Sequence, residues 1–135
     1  MALSTGSGSV RQMRQTGFTL IELLVVMTVI ALLLTIALPK YFGSVERSKE
    51  AALRQDVSIL REALDKYYSD NRKYPDALED LVSRQYLREI PIDPITESPS
   101  TWVIVPPVDS SKGNVFNIKS GASGQAGDGT LYADW

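Results

Sequence analysis

Cysteine and histidine are both absent from the 135 residues. Without cysteine, no disulfide braces the fold. Without histidine, the chain lacks the commonest acid/base group near neutral pH and the commonest zinc ligand. No serine–lysine or carboxylate pair stands at a catalytic spacing, so the chain is expected not to be an enzyme. Basic charge is also thin, with 14 Lys and Arg against 16 Asp and Glu. Two of those bases, Arg11 and Arg14, precede residue 18 with no acid beside them. That leaves twelve bases against sixteen acids, a net of −4, in residues 18–135. A mildly acidic body argues against a nucleic-acid backbone as partner.

Charge is scarcest in residues 18–38, a run of 21 in which only Thr19, Glu22, Thr28 and Thr35 are polar. As a helix the run rises about 30 Å, close to the hydrocarbon thickness of a bilayer. Basic residues stand before it and none follows until Lys40, which places the amino terminus in the cytoplasm and the body across the membrane. A conventional signal peptide, cut after Ala37, is one alternative. Its apolar core would be about 7–15 residues, without a carboxylate. A permanent single-span anchor is another.

Glu22 is the anomaly in the run. An acid near the end of a membrane helix can reach the headgroups, which is the plain explanation. An unpaired charge at a helix centre costs roughly 2.5–3.5 kcal/mol on insertion scales, so its partner needs naming. Were the chain cut between Gly17 and Phe18, the new α-amine would have a reference pKa of about 7.7–8.0 and be largely protonated. It would sit one helical turn from Glu22. The two could pair within one subunit, or the amine of one subunit could meet Glu22 of the next.

Pro39 closes the run, and Gly43 weakens the helix again by roughly 1 kcal/mol relative to alanine. The pattern beyond them nevertheless stays helical. Leu53, Val57, Leu60, Leu64 and Tyr67 are spaced 4, 3, 4, 3, one apolar stripe of an amphipathic helix. Ser69, Asp70 and Asn71 predict a turn. Asp76 and Glu79 have capping-box spacing and predict a short helix over 76–84. Three prolines between residues 90 and 100 predict an extended loop. "TWVIV" (101–105) and "NVFNIKS" (114–120) predict the two strands of one hairpin. Tyr67, Tyr68 and Tyr74 are expected to pack between the long helix and the sheet, and Trp102 and Trp135 to lie in the core or at its edge.

The stretch "TGFTLIELLVVMTVIALLLTIALP" resembles the amino-terminal signature shared by type IV pilins and type II secretion pseudopilins. Gly17, Phe18, Thr19, Glu22 and Pro39 each stand at the signature's positions. The resemblance extends over most of the chain. "DNRKYPDALEDLVSRQYLREIPIDPIT", with Pro91, Asp93 and Pro94, and "GNVFNIKSGASGQAGDGTLYADW" are similar to the major pseudopilin, the G subunit. Major type IV pilins commonly end in a disulfide-bounded loop, for which this chain has no cysteine.

The resemblance implies an α+β, type IV pilin-like fold: a long amino-terminal helix, transmembrane in its first half, on a small antiparallel sheet. It implies a cytoplasmic leader at 1–17, a membrane and filament-core helix at 18–38, and a periplasmic domain at 39–135. A prepilin peptidase would cut between Gly17 and Phe18 and methylate Phe18, while Glu22 and Pro39 would serve assembly. The product would be a single-pass inner-membrane protein, polymerised into a periplasmic pseudopilus that drives protein export. Its partners would be further copies, minor pseudopilins, an inner-membrane platform with a cytoplasmic ATPase, and lipid before assembly. A type IV pilus subunit for adhesion, motility or DNA uptake is the alternative. The resemblance also implies calcium in the terminal loop, with Ser123, Asp128 and Asp134 as its oxygen donors. Arg47, Lys49 and Arg54 would meet Asp56, Glu62 or Asp65 of adjacent subunits.

Overall fold

The computed structural model describes residues 2–9, 11 and 16–135. Arg14, one of the two bases expected to hold the amino terminus in the cytoplasm, lies outside the described residues. The chain falls into two compact units, Met1–Pro39 and Lys40–Trp135. Its first element, helix α1, spans Leu20–Asn71 with Pro39 inside it. Then come helix α2 (Glu79–Ser83), strand β1 (Val103–Val105) and strand β2 (Asn117–Lys119), with single 3-10 turns at Ser110–Lys112 and Tyr132–Asp134.

In the first unit the helical residues Leu20–Leu38 are all exposed. An 18-residue window of α1 has mean hydropathy 2.8 and no buried residue, so by length and composition this helix can cross a membrane. Its hydroxyls are turned inward on the helix itself. Thr28 Oγ1 donates to the Leu24 carbonyl and Thr35 Oγ1 to the Ala31 carbonyl, each at 2.8 Å. A hydroxyl in hydrocarbon has no water to bond, and the carbonyl four residues back is its nearest acceptor.

In the second unit the expected stripe is the core face of α1. Leu53, Val57, Leu60, Leu64 and Tyr67 are buried, with Ala63 between them. They meet Leu78, Leu81, Trp102, Val115 and Ile118 in one cluster. The sheet is two-stranded and antiparallel, with Ile104 opposite Ile118. From it, Ile118 alone is fully buried, since β1 leaves Val103 and Ile104 exposed. Tyr67 packs tilted on Tyr86, Tyr68 stacks on Tyr74, and Tyr74 meets Phe116 edge-on. The expected aromatic packing is present, with Phe116 and Tyr86 as unforeseen members.

Boundaries differ from the pattern for identifiable reasons. Ser69, Asp70 and Asn71 remain helical, and the chain leaves α1 at Arg72, whose φ is +58°. There Asn71 Nδ2 donates to the Tyr67 carbonyl, and Tyr86 Oη donates to Asp70. Helix α2 is shorter than 76–84, because the expected Asp76–Glu79 box does not form. Asp80 Oδ2 instead accepts from the amides of Asp76 and Ala77, at 3.1 and 3.2 Å. Both strands are shorter than expected, and β2 starts late because the amides before it are committed elsewhere. Asn114 and Val115 both donate to the Pro75 carbonyl. Gly113 makes that crossing possible, since at its φ of +102° a Cβ would strike the Tyr74 carbonyl.

The proline-rich loop is held by a buried acid. Asp93, fully inaccessible, accepts from the amides of Ile95 and Thr96 through Oδ1 and from Ser120 Oγ at 2.6 Å through Oδ2. This ties the loop to the residue after β2. Replacing Asp93 by alanine strands three donors, so Asp93→Ala is expected to cost at least about 2 kcal/mol of stability. Denaturant unfolding of the detergent-solubilised chain measures this, and a loss under about 0.5 kcal/mol would contradict the latch.

Candidate functional site

Two places in the chain carry the residues singled out by sequence. The first is the start of α1. Residues 16–19 are non-helical, and a Cβ added at Gly17 would meet nothing within 4 Å. Phe18 is 91% exposed. The next four residues form a reciprocal cap. Thr19 N donates to Glu22 Oε2 at 3.3 Å, and Glu22 N donates to Thr19 Oγ1 at 3.2 Å. This is the capping box, in which two otherwise orphaned amide donors at a helix start are satisfied by each other's side chains. The Glu22 carboxylate is thereby folded back toward the residues that precede the helix. The sequence signal for this box is the spacing Thr-x-x-Glu at residues 19–22. Pro39 sits inside α1 and supplies no amide to the Thr35 carbonyl.

The second place is the terminal loop. Its backbone makes a narrow hairpin: Gln125 bridges Leu131, Ala126 N donates to the Thr130 carbonyl, and Gly129, at φ +85°, donates to the Ala126 carbonyl. Asp128 Oδ1 accepts from Thr130 N at 3.0 Å and Thr130 Oγ1 at 2.6 Å. Its Oδ2 accepts from Arg54 Nη2 at 3.1 Å. The Thr130 hydroxyl and amide, and more weakly the Arg54 charge, hold the Asp128 carboxyl below the usual aspartate range. Glu50, one turn before Arg54 on α1, accepts from Gly127 N at 2.9 Å and Tyr132 Oη at 3.1 Å. Burial, and then that bond to Glu50, push the Tyr132 hydroxyl up.

The three donors expected for calcium are only partly brought together. Asp128 and Asp134 line one open groove along α1, with Arg54, Arg61 and Trp135, and Ser123 is not among its walls. Among the described residues no three acidic side chains are placed to share an ion. Asp128 already faces a guanidinium. These residues do not fit a hard-cation cage, which needs several uncommitted oxygens converging on one point. Arg54 is likewise committed within its own chain, and Glu62 pairs with Lys66 at 3.1 Å.

Comparison with known proteins adds two family profiles. One described as the prokaryotic N-terminal methylation motif matches residues 12–38, and one described as type II secretion system (T2SS), protein G matches residues 40–134. Three similar proteins are each named type II secretion system core protein G. That of Vibrio cholerae is 31% identical over 136 residues, covering 90% of both chains. That of Aeromonas hydrophila is 28% identical, covering 90% of this chain and 93% of its own. That of Escherichia coli is also 28% identical, covering 90% and 92%. No solved structure matches the chain.

Because the Asp128 pKa is lowered on folding, its contribution to loop stability is present above the unfolded value of about 3.9 and is lost as pH falls through the lower folded value. An NMR titration of the Thr130 amide, which donates to this carboxylate, is expected to show its midpoint below that ordinary value. A midpoint at or above it would contradict the hydrogen-bonded arrangement.

Proposed function

The chain belongs to the type II secretion system protein G family, the pseudopilin subunits of that export machinery, and on that premise we propose how it is processed and assembled. It is made with a cytoplasmic leader, residues 1–17, and is cut between Gly17 and Phe18 by a prepilin peptidase, which then methylates Phe18. The apolar segment 18–38 is its single-pass anchor in the bacterial inner membrane, and residues 39–135 lie in the periplasm. Copies polymerise from the membrane through their apolar segments into a periplasmic pseudopilus. The family is structural, so the energy for adding subunits comes from a cytoplasmic ATPase acting through an inner-membrane platform. Minor pseudopilins are further partners.

The observation that carries this reading is the cap at the start of α1. Before processing, Glu22 is not a bare charge, because its carboxylate accepts from Thr19 N. That amide belongs to the residue next to Phe18, so a new amine at Phe18 would arise beside an acid already turned toward it. The exposed, non-helical Gly17–Phe18 bond is open to a peptidase. Once cut, amine and carboxylate neutralise each other, either in one subunit or between an incoming subunit and its neighbour. The second pairing also fixes the stagger of one helix along the next. A pair in low dielectric sets register strongly, because parting it leaves an uncompensated charge, at a cost of about 3–5 kcal/mol. The secretion profile over residues 40–134 favours a pseudopilus over a surface pilus.

Two measurements test the proposal. Intact mass of the membrane-extracted protein is expected to show loss of residues 1–17 and gain of one methyl group, and retention of the leader in working protein would refute it. Glu22→Ala is expected to leave cleavage and the globular unit intact while raising the critical concentration for assembly at least tenfold, the equivalent of about 1.4 kcal/mol or more per added subunit. An unchanged critical concentration would refute the pairing.

A further inference from the structure

A calcium ion in a terminal loop does two things: it neutralises converging acids and ties together segments that would otherwise drift apart. Here one side chain of α1 does both. Arg54 Nη2 donates to Asp128 Oδ2, and its guanidinium carbon lies 3.9 Å from the centroid of the Trp135 ring. Trp135 Nε1 donates to Thr130 Oγ1 at 2.8 Å, and Thr130 Oγ1 donates to Asp128 Oδ1. The contacts therefore close a ring through Arg54, Asp128, Thr130 and Trp135. Trp135 also meets Tyr132 edge-on, at 5.2 Å between ring centroids.

From this geometry we infer that the guanidinium of Arg54 takes the place of a metal ion in closing the loop 121–135, so that the loop is ordered without calcium. The competing arrangement is disfavoured on three counts. A divalent cation at Asp128 Oδ2 would sit against a positive group that never loses its proton. Asp128 Oδ1 has two donors aimed at it already. Ser123, the third expected donor, is exposed and lies outside the groove shared by Asp128 and Asp134. The planar guanidinium also does what a spherical ion cannot, since it stacks on the indole while bonding the carboxylate. Glu50 adds an anionic anchor one turn away, on Gly127 N and Tyr132 Oη. Loop order is then a property of the α1 sequence and not of the divalent cations around it. The inference is independent of leader cleavage and of Glu22, so its failure leaves the assembly reading standing.

The test uses the full chain in detergent. Thermal unfolding is compared in EGTA and in millimolar calcium chloride, alongside hydrogen exchange of the Gly127 and Thr130 amides. The expected result is the same Tm and the same exchange in both solutions. Arg54→Ala is expected to speed exchange at both amides roughly tenfold, with or without calcium. Arg54→Lys, which keeps the charge and loses the planar stack, is expected to fall between. Calcium raising the Tm of the unaltered chain by several degrees, as a filled site would, overturns the inference. So does Arg54→Ala exchanging at the unaltered rate. Should Arg54→Ala not fold, the calcium comparison on the unaltered chain decides alone.

Discussion

Hydrocarbon offers no hydrogen bonds, and that constraint shapes the first unit of this chain. Leu20–Leu38 are all exposed, so in hydrocarbon each polar group among them must be satisfied by the helix itself. Thr28 and Thr35 bond carbonyls one turn back, and Thr19 and Glu22 bond each other's amides. The segment is therefore complete as an isolated span. It is also poised for change, because Glu22 is the one charged member and its carboxylate accepts from a neutral amide. An amine exchanged for the neutral Thr19 amide would turn a dipolar contact into an ionic one, in a medium where that difference is large.

The second unit solves a different problem. With a two-stranded sheet and no disulfide, fewer than a hundred residues must order a proline-rich loop and a glycine-rich one. A buried aspartate does the first and an arginine the second. Asp93 gathers three donors and bonds across to Ser120, beside β2. Arg54 and Glu50, on successive turns of α1, reach the terminal hairpin with opposite charges. As exposed pairs these contacts are individually weak, about 0–1 kcal/mol. Their effect comes from acting at one place, on a backbone already folded into a narrow turn.

How far the sequence discloses this differs by residue. The 4, 3, 4, 3 stripe on α1 named five residues, all of them buried, because the helical period places them on one face whatever packs there. The hairpin was legible from its β-branched runs, but its ends were not. Those ends depend on Asn114 and Val115 giving their amides to Pro75, a residue nearly forty positions away. The Asp76–Glu79 box matched a spacing rule, yet Asp80 took both amides. The Thr19–Glu22 box obeyed the same rule and formed.

By itself, then, the amino-acid order determined whatever depends on local period and composition: the apolar run at 18–38, the amphipathic stripe, the hairpin, and the Gly17–Phe18 and Glu22 signature that marks the family. It does so because hydrophobic burial and helix geometry act within a few residues of each other. The partners of the charges were decided only by tertiary structure. Arg54 was free in sequence to meet any acid on any copy, and Asp128 to meet any cation. The fold brings residues 74 positions apart to 3.1 Å, and charges pair with what is near in space.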